Sequence, residues 1–111
     1  MKKNVLTVSG IESVSVIDQF SMFGQVFFTY HKAEEDSIHV IDAYSGYSVC
    51  RIDWMDCCYF LDLSELSTII IRRAKELLQK KRHEFFELRY SCLLEEIGST
   101  NPINTDYEKF E

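Results

Sequence analysis

Glycine and proline are scarce in this chain, four of one and one of the other in 111 residues. That scarcity removes several kinds of chemistry at once. Phosphate-cradling loops need clustered glycines, whereas Gly10, Gly24, Gly46 and Gly98 lie one per turn, so neither a P-loop nor a dinucleotide fingerprint is present. No GxSxG elbow and no HExxH helix occur either. No apolar run approaches the roughly eighteen residues that a membrane span requires. The short apolar stretch after Lys2-Lys3 stops at Ser9-Gly10, before a signal-peptide core forms. The chain therefore reads as soluble and cytoplasmic, with no membrane partner.

Cysteine is present but unpatterned. Cys50, Cys57, Cys58 and Cys92 form no CxxC motif; without an export signal they suit a reducing compartment, as small buried hydrophobes. His31, His39 and His83 do not complete a zinc ligand set. Asp53, Asp56, Asp62 and Glu65 form the one carboxylate cluster. It is better explained by helix capping at Asp62 and Glu65 than by a divalent cation. The expectation is a non-enzymatic protein without metal or cofactor.

What the chain has is apolar surface, enough at 46% hydrophobic and 14% aromatic residues to make one folded domain over 1–98. A flexible acidic tail, 99–111, is expected to follow. The first half reads as strands: Val14 and Val16 alternate with serines, Gln25 to Tyr30 is β-branched and aromatic, and Ile38 and Val40 alternate with polar residues. Ser9-Gly10, Phe23-Gly24, Glu34-Glu35-Asp36 and Ser45-Gly46 supply the turns, and Tyr47 to Asp53 a last strand. The second half reads as helix. Asp62 and Glu65 make a capping box, Leu61 and Leu66 a hydrophobic staple, and Gly98 a C-terminal cap, with no Gly or Pro from 55 to 97.

Half of the chain's twelve Lys/Arg fall in one short run. Residues 72–83 carry six Lys/Arg and one Glu, while the whole chain has a net charge of −6. On a helical wheel Arg72 and His83 point away from the apolar face, flanked by Arg73, Lys75, Lys80 and Arg82. This is a cationic ridge suited to phosphates. Glu76 and Glu84 partly neutralise it through pairs worth only about 0.2–0.5 kcal/mol each. Lys81 falls in the middle of the apolar face, so either it snorkels or the helix breaks near residues 80–84. A second apolar strip, Phe86, Tyr90, Leu93 and Ile97, lies off the main face and suits a protein interface or a homodimer. Phe28, Tyr30, Tyr44 and Tyr47 would stack on bases if they shared an exposed face, but no RNP pattern accompanies them.

Three strings, Thr7-Val8-Ser9-Gly10-Ile11-Glu12, Val16-Ile17-Asp18-Gln19-Phe20 and Met22-Phe23-Gly24-Gln25-Val26-Phe27-Phe28, resemble the PrgU-like small regulatory proteins of Gram-positive pheromone-inducible conjugative plasmids. The resemblance extends as overall texture across residues 4–97 and contains no diagnostic motif. It implies a PUA-like, RNA-binding β fold and a role in limiting expression of a mobile-element operon. The combined expectation is an α+β domain: a small antiparallel sheet or partly closed PUA-like barrel, then a long C-terminal helix, with RNA as partner. The alternative is an acidic protein–protein interaction module, either an inhibitor of a host factor or a helix-mediated homodimer.

Overall fold

The computed structural model describes residues 2–7, 9–53 and 63–104, apart from the side chains of 63–66, 82–90 and 92. In chain order the elements are β1 (Lys2–Thr7), β2 (Gly10–Ser15), β3 (Asp18–Met22), β4 (Gln25–Lys32), β5 (Ser37–Asp42), β6 (Ser48–Asp53) and the helix α1 (Leu63–Ile97). Strands outnumber helices six to one among these residues. They form two antiparallel sheets, a β1-β2 hairpin and a four-stranded meander ordered β3-β4-β5-β6.

This corrects the α+β expectation: six of the seven described elements are strands, and they make two separate sheets rather than a single sheet or a partly closed PUA-like barrel. The physical reason lies in β4. Val26 through Tyr30 is a continuous buried run, so the meander is apolar on both faces and needs a cover on each. A barrel buries one face on itself; this sheet is a middle layer.

On one face Phe27, Ile38, Val40, Cys50 and Ile52 meet Ile70, Ala74 and Leu78 of α1. On the other, Val26, Phe28, Tyr30, Ile41 and Ala43 meet Val5, with Val14 and Val16 of the hairpin side packed alongside. Burying side chains of this size contributes roughly 1.5–3 kcal/mol each, so the two covers carry most of the favourable energy. Among the described side chains, the contacts that join α1 to the sheet run from Ser67, whose hydroxyl donates to Asp18 Oδ1 at 2.6 Å, to Lys81. That stretch is about four turns. No interruption of the helix occurs at 80–84, and it ends where Gly98 takes φ +69° and donates its N–H to the Leu94 carbonyl at 3.0 Å. The capping residues Leu61 and Asp62, with the side chains of Glu65 and Leu66, lie outside the described residues.

Turns set the register. Phe23 and Gly24 both take positive φ, +58° and +73°, giving the two-residue turn that matches the twist of a tight hairpin. The β5–β6 turn is held by a buried carboxylate. Asp42 Oδ1 accepts the Tyr44 N–H, and Oδ2 accepts both the N–H and the hydroxyl of Ser45. Ser45 Oγ in turn accepts the Tyr47 N–H.

The hairpin is fastened to the meander by a clasp. The Leu6 N–H donates to the Gly46 carbonyl at 2.9 Å. Buried Asn104 accepts the Asn4 N–H and donates to the carbonyls of Asn4 and Ala43, each at 2.9 Å. Asn4 returns a bond to the Ile103 carbonyl, and the Tyr44 hydroxyl donates to the Thr100 carbonyl at 2.6 Å. Residues 99–104, expected to begin a loose tail, are therefore built into the fold; 105–111 lie outside the described residues. Gly46 sits at the crossing point with φ +71°, where a Cβ would run into the Ile103 side chain and lie 2.8 Å from the Leu6 nitrogen.

Gly24 has the same handedness but open space around it, so the two glycines separate conformational strain from close approach. Gly24→Ala is expected to destabilise by roughly 1–2 kcal/mol, the left-handed cost alone. Gly46→Ala is expected to cost clearly more, read from urea unfolding midpoints. Equal losses would mean that the close approach relaxes without penalty.

Candidate functional site

The outer side of α1 follows from what its inner side buries. With Ile70, Ala74 and Leu78 against the sheet, a 100° step per residue turns Arg72, Lys75 and Lys80 to solvent, and all three are exposed. None has an ion-pair partner among the described residues. Arg73 is also exposed but pairs with Glu76 at 3.2 Å. Arg82 and His83, which would extend the ridge, lie outside the described side chains.

Lys81 answers the question its position raised. Its ammonium reaches past the core and donates to the Val49 carbonyl on β6 at 3.4 Å, so it snorkels to the sheet. It borders the buried thiol of Cys50, which burial pushes up to about 11 against the fields of Lys81 and Arg73. Cys50 is thus a packed apolar group at neutral pH; Cys57, Cys58 and the Cys92 side chain lie outside the described residues.

The aromatic platform is not formed. Phe28 and Tyr30 are buried beneath the hairpin, Tyr47 packs on the helix side, and the Tyr44 hydroxyl is tied to Thr100. They share no exposed face. Of the apolar strip, Phe86 and Tyr90 lie outside the described side chains. Leu93 is fully buried, which withdraws it from a solvent-facing interface, and Ile97 is half-buried. Leu94, which the wheel did not single out, is the exposed apolar residue here, at 58%. Of the acidic cluster, Asp53 is exposed at the end of β6, and Asp56, Asp62 and the Glu65 side chain lie outside the described residues.

A polar network at the far end of the sheet was not visible in the sequence. Glu35, in the β4–β5 turn, accepts from His39 Nε2 at 2.8 Å, Lys32 Nζ at 3.2 Å and Ser37 Oγ at 3.3 Å, and Arg51 lies 3.6 Å away. His39 Nδ1 lies 2.6 Å from Ser48 Oγ. Because an ionised carboxylate only accepts, Nε2 carries the hydrogen, and in the neutral ring Nδ1 accepts the Ser48 hydroxyl. Hydroxyl, imidazole and carboxylate stand in the order of a nucleophile relay. Here, however, the carboxylate is divided among several donors, and what it does is clamp the turn onto β6. The cross-strand pair His39↔Arg51 is what gathers these groups, and register is not readable from local pattern.

Comparison of the chain with protein-family models, with curated proteins and with solved structures gives no match. The functional reading therefore rests on this chain's own surfaces.

The clamp has a pH signature. Hydrogen bonds from His39, then Lys32, hold the Glu35 carboxyl down to about 2 from 4.5. Its folded value lies below its unfolded one, so ionised Glu35 favours the folded state above pH 4.5, and that contribution is lost as pH falls to about 2. Thermal unfolding across this window is expected to fall more steeply for the wild type than for Glu35→Gln. Parallel curves would show that the clamp carries no linkage.

Proposed function

We propose that this chain is a non-enzymatic regulatory binding protein that takes RNA on the outer face of α1. The observation that carries the reading is the set Arg72, Lys75 and Lys80, exposed on one side of a helix and without a carboxylate partner among the described residues. In a chain of net charge −6, cations that no described carboxylate neutralises are available to an outside polyanion. Arg73 shares its charge with Glu76, a surface pair that contributes about 0–1 kcal/mol and breaks readily in exchange for a phosphate. The resemblance to PrgU-like regulators supports the further reading that such binding limits expression of a mobile-element operon. Without a shared aromatic platform, recognition rests on the backbone phosphates, so it is weakly selective for base sequence.

A second reading has its own observation. Leu94 stands 58% exposed one turn from half-buried Ile97, and an exposed leucine beside a half-buried isoleucine on an acidic chain suits a protein partner or a second copy of the chain.

Binding of a mixed-sequence single-stranded RNA across a salt series tests the first reading. Changing Arg72, Lys75 and Lys80 together to Ala is expected to weaken binding and reduce the slope of log affinity against log salt by about 2, at roughly 0.7 per lost phosphate contact. Unchanged affinity and slope would overturn it. Light scattering on wild type and Leu94→Glu tests the second: a dimer converted to monomer supports it, and a monomeric wild type removes the homodimer.

A further inference from the structure

Across the sheet from α1, between β2 with its link to β3 and the end of β4 with its turn, lies a cleft of about 490 Å³. This is the size range of small-molecule sites. Val14, Val16 and Ile17 form an apolar wall, with Ile17 left 42% exposed at the rim. Tyr30 lines the interior while only 9% exposed. Among the described residues its ring touches His39, at 5.6 Å between centroids, but its hydroxyl has no hydrogen-bond partner. The ring is buried, but the hydroxyl is not sealed from solvent: it opens into the cleft, where its lone pairs are free for a ligand.

The charges around the cleft are unequal in their commitments. Lys32 is engaged by Glu35 at 3.2 Å, and His31 faces Asp36 at 3.6 Å. The carboxylates of Glu12 and Glu34, both exposed, have no ion-pair partner among the described residues. Partial burial raises the Tyr30 pKa, Lys32 opposes that shift, and Glu35, Glu12 and Glu34 add to it, so the phenol stays neutral, with lone pairs to offer. The unspent groups in the cleft are therefore two anions, an acceptor and an aliphatic wall.

We infer that this cleft is a binding site for an organic cation, an alkylammonium group on an aliphatic stem. The stem lies against Val14, Val16 and Ile17, and the ammonium is shared between Tyr30 and the carboxylates of Glu12 and Glu34. Two sources carry that chemistry, a free aliphatic diamine and a lysine side chain, and both are probed. The site lies on the opposite face of the sheet from the basic ridge and does not rest on the RNA reading.

The test is a titration of the whole chain, at constant ionic strength, with diaminobutane and separately with N-acetyl-lysine amide, followed by backbone amide NMR shifts. Saturable shifts confined to Glu12–Ile17 and Tyr30–Glu34 are expected. Hydrogen bonds to charged groups are among the stronger ones, so Tyr30→Phe should weaken binding about tenfold, and Glu12→Gln with Glu34→Gln should weaken it further. Both carboxylates are exposed, so the double variant keeps the fold, and Glu95→Gln, which removes an exposed carboxylate from α1, serves as a control that leaves binding unchanged. The tighter of the two probes identifies the source. Shifts that never saturate, that spread over the whole acidic surface, or that persist undiminished in the double variant would overturn the assignment.

Discussion

A sheet that is apolar on both faces is the constraint from which the rest of this structure follows. Val26 to Tyr30 puts alternate side chains of β4 into two separate cores, and neither core closes without an element from elsewhere in the chain. Helix α1 closes one with Ile70, Ala74 and Leu78. The N-terminal hairpin closes the other, and because its strands do not pair with the meander it is fastened by a few specific bonds at Leu6, Ile17 and Asn4. Buried polar groups at those points, Asp42 and Asn104 above all, are nearly fully hydrogen-bonded, as burial demands.

The same layering separates the charge. The cations of α1 face out on one side of the molecule, while Glu12 and Glu34 stand on the other, with the sheet between them. Through solvent at physiological ionic strength fields fall off over about 8 Å, so each surface acts mainly on what approaches it from its own side. Lys81 is the exception that crosses toward the sheet, and it does so with its aliphatic stem against the core and its ammonium on the Val49 carbonyl.

Much of this was legible in the residues, for stated reasons. Period-two alternation located the strands, positive-φ signals at Gly24, Gly46 and Gly98 located the turns and the helix end, and the 100° wheel put Arg72, Lys75 and Lys80 on the solvent side. What pattern could not convey was assignment. The buried run in β4 shows that two faces need cover, but not that the strands split into two sheets. The wheel judged Leu93 by its angle from Leu78, whereas its burial depends on what lies beside that part of the helix. Glu35, His39, Ser48 and Arg51 come together through cross-strand register, and Asn4 and Asn104 across one hundred positions; neither relation leaves a local trace.

That last separation governs the order in which the molecule is completed. A contact closing so long a loop gains nothing until both ends exist, and the entropy of bringing them together must be met before any bond rewards it. During synthesis the meander has all four of its strands once Asp53 is made, but the hairpin lacks its final fastening until Asn104 has been added. Strand β1 is thus made before the other five strands and secured after them. In the interval its outer edge is open, and an unsealed strand edge is the part of a nascent chain most prone to pair with the wrong neighbour.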